Sequence, residues 1–184
     1  MNADAFPPGC ALIEVHVADL KQLFNSLDPT PFRRRDLDPA AEEFIVSWAR
    51  ELHKDGPLGL LVHVDRESPA PEASETVNEA VRDHFARLAH LERQRLRQLF
   101  RVGRTSLVIG LACLAGSILA GDLIASAIDS RFSGVVRESL LIGGWVAMWR
   151  PIEVFLYDWW PIRAQARFFN RLSGITVRVV TVSG

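Results

Sequence analysis

The chain has 184 residues, a formal net charge of -1, 48% hydrophobic residues and two cysteines. That length accommodates one ordinary domain with a small membrane part and excludes two large domains. The near-zero charge excludes bulk attraction for nucleic acid. Cys10 near the start and Cys113 inside an apolar run stand in such unlike surroundings that no intramolecular disulfide is expected, and a reducing, cytoplasm-facing soluble part fits.

In chain order, the opening MNADAFPPGCALIEVHV lacks a basic region followed by a continuous apolar core, so no cleaved signal peptide is expected. Residues 13–17 (IEVHV) alternate apolar and polar, the period of a half-buried strand. Leu20, Leu23, Phe24 and Leu27 recur at helical spacing and predict a short helix stopped by Asp28-Pro29 and Pro31. A polar, proline-punctuated connection follows, and its three consecutive arginines suit either a docking loop or a solvated link. In DLDPAAEEFIVSWARELH, Asp38 is placed to cap a helix with Pro39 at its first position, and Phe44, Ile45, Trp48 and Leu52 form one face. Gly56-Pro57 ends it. LGLLVHVD, 58–65, reads as a second strand, and SPAPEAS, 68–74, as a linker.

From about Glu75, Val77, Val81, Phe85, Leu88, Leu91 and Leu99 give a helical stripe, and the helix grows basic through Arg93, Arg97, Arg101 and Arg104. The run 105–128 holds one charge, Asp122, and at ~1.5 Å per residue spans about 36 Å, enough to cross a hydrocarbon core. DSRFSG predicts the turn, with a second apolar stretch from Val135 or Ser139, then a basic helix (IRAQARFFNRL) and a closing strand (ITVRVV). Arginines crowd the near side of the first span and recur at Arg163, Arg167 and Arg171, which puts both ends in the cytoplasm and the turn outside. The expected fold is α+β: a small cytoplasmic domain whose three-stranded sheet is completed by the C-terminal strand, plus a two-helix transmembrane hairpin. The expected parts are a cytoplasmic region 1–74, a basic lead-in helix 75–104, the hairpin 105–160 and a cytoplasmic end 161–184.

Mirroring the hairpin about residue 131 or 132 sets Arg150 level with Cys113, well inside the first span. A lone arginine there costs ~3 kcal/mol or more, so it needs a partner, a polar cavity or a route to the surface. Glu153, three residues on, is the nearest partner, and Asp158 lies within an interfacial belt with Tyr157, Trp159 and Trp160. Pro151 removes the donor to the Ala147 carbonyl, which predicts a kink and a free acceptor for the guanidinium. The alternative is that the span ends at Trp149 and Arg150 snorkels at the cytoplasmic surface.

The row Ala112, Gly116 and Ala120, with Gly143 and Ala147 on the second span, suits close helix packing, within one hairpin or between copies. A second row is Ser117, Gly121 and Ala125. Arg93, Arg97, Arg101, Arg104, Arg163 and Arg167 are placed for lipid head groups. His16 and His63 occupy the minority phase of two strands, with Arg178 alike on the third, so they are weak candidates for a metal or anion site beside the commoner reading of a solvated sheet face. No catalytic constellation, phosphate loop or dinucleotide fingerprint occurs, and no cofactor is expected.

The stretches LFNSLDPTPFRRRDLD, EEFIVSWARE and ESLLIGGWVAMWRPIEVFLYDWWPI together resemble a group of uncharacterised bacterial membrane proteins with two transmembrane helices and cytoplasmic ends. The resemblance covers most of the chain and implies a topology without an activity. The function expected is that of a non-enzymatic, multi-pass bacterial inner-membrane protein in contact with lipid, not nucleic acid. It would serve as an oligomeric scaffold or an accessory subunit of a larger membrane complex. A small oligomeric channel with a polar path near Arg150 and Glu153 is the alternative, and a membrane-bound enzyme stands third.

Overall fold

A computed structural model of the chain describes residues 6, 7, 9–24, 36–52, 56–65, 71–127 and 131–181. The protein is α+β. It combines a three-stranded parallel sheet with long helices, and two helices, Ser74–Ala127 and Phe132–Leu172, are long and apolar enough to cross a membrane. The strands are β1 (Ala11–Val17), β2 (Leu58–Val64) and β3 (Thr176–Thr181), in the order β1-β2-β3. β2 has the most continuous apolar run, as a strand flanked on both edges requires, and it takes the centre.

The strand spacing sorts side chains onto two faces. Ile13, Leu60, Val62 and Val177 point into the core, where they meet Ile45 and Ala49 of α1 (Pro39–Glu51), Val77, Val81 and Phe85 of α2 (Pro71–Ala127), and Phe169 and Leu172 of α4 (Trp159–Leu172). The Phe85 and Phe169 rings stack with centroids 6.4 Å apart, joining the two long helices over the sheet. The end of β3 turned away from β2 is also held: Asn78 Oδ1 accepts the Val177 N–H at 3.1 Å, and Arg82 Nε donates to the Ser173 carbonyl. Arg171 reaches back to the carbonyl of Gly56, just before β2, with two nitrogens at 3.2 and 2.9 Å.

Several expectations are corrected. The helix over Leu20 to Leu27 is a single 3-10 turn, Leu20–Leu23, capped by Asp19; Phe24 instead bridges Leu37 in an antiparallel pair, and Leu27 lies outside the described residues. α1 is capped by Asp38, which accepts from the Ala40 N–H, with Pro39 first, as the sequence indicates. Its buried face is Ile45 and Ala49, however, while Phe44 and Trp48 are exposed and lie against each other, because the core meets the helix about one residue further round. The linker expected over 68–74 ends early: α2 begins at Pro71, a residue suited to a first helical turn, and 66–70 lie outside the described residues. The turn expected to run through Gly134 gives way to helix α3 (Arg131–Glu153).

The chain divides into two compact units, Met1–Leu91 with Ala166–Gly184, and Glu92–Gln165. In the second, α2 and α3 touch where one of them lacks a side chain. Gly103 faces Val154, Gly110 faces Ala147 and Met148, Gly144 faces Leu114 and Ser117, and Gly121 faces Arg137. α3 continues through Pro151 into a five-residue π-helical segment, Val154–Asp158, and then α4. The wide turn follows the proline by one turn, where the interrupted hydrogen-bond ladder has to re-phase.

Phe85 is fully buried and Trp48 is 46% exposed. Phe85→Ala should therefore lower stability by about 3–5 kcal/mol, and Trp48→Ala by under about 1 kcal/mol, in denaturant or thermal unfolding of the whole chain in detergent.

Candidate functional site

On the sheet face opposite the helices, parallel register sets His16 directly beside His63. Their rings stack at 4.3 Å with 8° between planes. Glu14, two residues before His16 and so on the same face, comes within 3.6 Å of His63 Nε2 through Oε2. One ligand atom from each of the three side chains lies within 4.8 Å of the others. Arg178 shares this face opposite Leu61, and its guanidinium sits over the Phe6 ring at 5.6 Å. Cys10 and Cys113 are both free, and burial pushes the Cys10 thiol up, which makes it a slow nucleophile at neutral pH.

The second cluster lies at the proline. Arg150 Nη1 is 3.1 Å from Glu153 Oε2 and 3.4 Å from Asp158 Oδ2, and Trp149 Nε1 donates to Glu153 Oε1 at 3.0 Å. The three charged residues named from the sequence are thus brought together, with the π-helical segment between Glu153 and Asp158 returning the second carboxylate to the guanidinium. The Ala147 carbonyl, deprived of its donor by Pro151, lies against Gly110 and takes no part. Interpolating between the Gly110–Met148 and Gly103–Val154 contacts sets Arg150 about level with Val108, five residues from Cys113 and near the basic end of the apolar run. The level moves because α3 starts at Arg131, which shifts the mirror point to about residue 129. The Arg150 side chain is 64% exposed.

The helix-packing residues separate into two groups. Gly116 and Gly143 would have nothing within 4 Å of an added Cβ and Ala112 is exposed, so these three do not form the contact between α2 and α3, while Ala120 is half-buried. Ala147 does, against Gly110. The row through Ser117 and Gly121 is the one in contact. Gly121 also lets Arg137 cross α2 to pair with Asp122 at 3.1 Å, so the only charge in the first apolar run is matched. Arg93, Arg97, Arg101, Arg104, Arg163 and Arg167 are all exposed. Arg97, Arg101 and Arg104 line a shallow depression of about 470 Å³ with Phe100 and Phe155, and Arg163 stacks over Trp159 at 5.6 Å.

A third cluster had no sequence signal. His84, only 7% exposed, stands between two carboxylates, Asp36 Oδ1 at 3.2 Å from Nδ1 and Glu42 Oε2 at 3.1 Å from Nε2. A ring with hydrogen on Nε2 alone donates to Glu42 and accepts the Leu37 N–H, 3.4 Å away; a doubly protonated ring donates to both acids. Arg87 also pairs with Asp36. The cluster fixes the extended segment before α1 onto α2, beside a depression of about 780 Å³ that also touches Leu91. Its members are 42 and 48 positions apart, beyond any local spacing rule. His16 and His63 were named from the sequence and Glu14 was missed, although Glu-Val-His puts an acid and an imidazole on one strand face. No family model, curated protein or solved structure matches the chain.

Adding a branched side chain at Gly144 forces apart backbone and side chain of α2, whereas Gly143 opens outward. Gly144→Val is expected to destabilise the Glu92–Gln165 unit by about 1–3 kcal/mol in detergent unfolding, with Gly143→Val near neutral. His84→Ala leaves two acids without their shared partner and should cost about 1–3 kcal/mol in the same assay.

Proposed function

We propose that this is a multi-pass bacterial inner-membrane protein in which α2 and α3 cross the bilayer as a hairpin, both termini are cytoplasmic, and the α+β unit is held at the membrane surface as part of an oligomeric scaffold or a larger membrane complex. The observation that carries this reading is exposure. Of the most apolar stretch in each long helix, only 11% and 17% is buried within the chain. A core helix of a soluble domain would be mostly buried. Here Val108, Leu119, Leu123, Ile142 and Val146 are each 63% exposed or more, a surface that lipid or another apolar protein must cover.

Sheet closure supports the even number of crossings. β1 and β2 precede both apolar segments, β3 follows them, and all three belong to one sheet. A chain that leaves a compartment between β2 and β3 has to return to it. The basic band Arg93 to Arg104 and the arginines at 163 and 167 flank the apolar segments on the side of the sheet-forming ends, as positive charges retained in the cytoplasm do. The outward row of Ala112, Gly116 and Gly143 supports association between copies in the membrane plane. The second reading, a channel or transport component, is favoured by one feature: the Arg150, Glu153 and Asp158 cluster faces outward and would line a path if several copies converged there.

Topology is tested by single cysteines in a background lacking Cys10 and Cys113. Glu43→Cys and Arg167→Cys should react with an impermeant maleimide only after the membrane is opened, while Gly134→Cys should react in intact spheroplasts. Labelling of positions 43 and 167 from opposite sides would overturn the hairpin. Native mass measurement in mild detergent is expected to show more than one chain or a companion protein, and a bare monomer would remove the scaffold reading. Ion flux through liposomes carrying the purified protein, abolished by Arg150→Leu, would select the channel instead.

A further inference from the structure

We propose that Glu14, His16 and His63 bind a divalent transition-metal ion of the zinc class on the sheet face turned away from the helices, with one coordination position left open.

The site is built by backbone register, which side-chain motion does not erase. Parallel pairing holds His16 and His63 directly opposite, and the two-residue period of β1 adds Glu14 on the same face. β2 is the central strand, hydrogen-bonded on both edges, so the imidazole it carries is the most firmly positioned of the three ligands. His63 Nε2 is shielded from solvent and has no hydrogen-bond partner. A shielded, unsatisfied ring nitrogen is an unfavourable thing to retain in a fold. Its nearest acceptor, Glu14 Oε2, is 3.6 Å away, beyond hydrogen-bond length. Two donors on one zinc ion, each at ~2.1 Å and at a tetrahedral angle, stand about 3.4 Å apart. The separation is therefore too long for the proton these groups would share and close to the one a metal ion sets.

The rings of His16 and His63 stack with 8° between planes, and one ligand atom from each of Glu14, His16 and His63 lies within 4.8 Å of the other two, so rotations about the side-chain bonds bring the three onto one ion. Two imidazoles and one carboxylate select zinc, iron(II), nickel or copper over magnesium or calcium, which take all-oxygen sites. Three protein ligands leave room for water or an exogenous ligand, the pattern of sites where a metal does chemistry or takes a fourth ligand from a partner. Arg178, which shares this face, is engaged with the Phe6 ring.

The test uses the full chain in detergent, stripped with a chelator and titrated with zinc against a chromophoric competitor, and with cobalt(II) followed by its visible absorption. The expected result is one zinc per chain, an affinity lowered at least tenfold by His16→Ala, His63→Ala and Glu14→Gln, no change on His90→Ala, and no competition from a large excess of magnesium. His16 is exposed, so His16→Ala keeps the fold and decides the matter if His63→Ala does not. Absence of stoichiometric zinc binding by the wild-type chain, or an unchanged affinity in His16→Ala, overturns the proposal.

Discussion

The pairing of β2 with β3 is the constraint on which the rest depends. Everything from residue 65 to residue 175 is an excursion between two neighbouring strands of one parallel sheet. Parallel neighbours always need a crossover, because the second strand has to begin beside the start of the first. Here the crossover contains α2, α3 and α4, so its ends are required to meet whatever its middle does. The two ends meet over the sheet through Phe85 and Phe169 and through the Asn78 bond to Val177. The membrane reading follows from combining that closure with the exposed apolar length between.

Charges inside or beside the apolar segments are handled in the same way near the turn between α2 and α3 and near the proline of α3. Asp122 meets Arg137 across the two helices, and Arg150 meets Glu153 and Asp158 along one. In water such exposed pairs contribute little. In a medium that cannot hydrate them, a missing partner costs far more than the pair gains, so the pairs matter as neutralisation of charges that are there for other reasons. The π-helical segment serves this arrangement. Without its change of phase, the residues after Glu153 would follow the ordinary α-helical screw, and Asp158 would come to a different angle about the axis.

Much of the fold was legible from short-range pattern. The three strands were visible as alternation or β-branched runs, α1 from Asp38-Pro39, and the long helices from their apolar stripes, because each of these depends on neighbours within a few residues. Parallel order and register were not, since nothing local says which strand lies beside which. For the same reason the pairing of His84 with Asp36 and Glu42 escaped, and His16 and His63 were candidates without the register that sets them side by side. The small-residue rows were both named, and spacing alone does not separate them. Ala112-Gly116-Ala120 and Ser117-Gly121 fit the same spacing, and only the start of α3 at Arg131 decides which one faces the second helix.

The position of β3 in the chain has a consequence for how the protein is made. Ribosomes deliver the central strand more than a hundred residues before its second neighbour, so the edge of β2, with Leu60 and Val62 beside it, waits bare while both long helices are synthesised. On the proposed topology, the sheet closes only when the helices enter the bilayer in even number; an odd number would strand the last segment across the lipid and leave the sheet one strand short, with the edge of β2 unpaired.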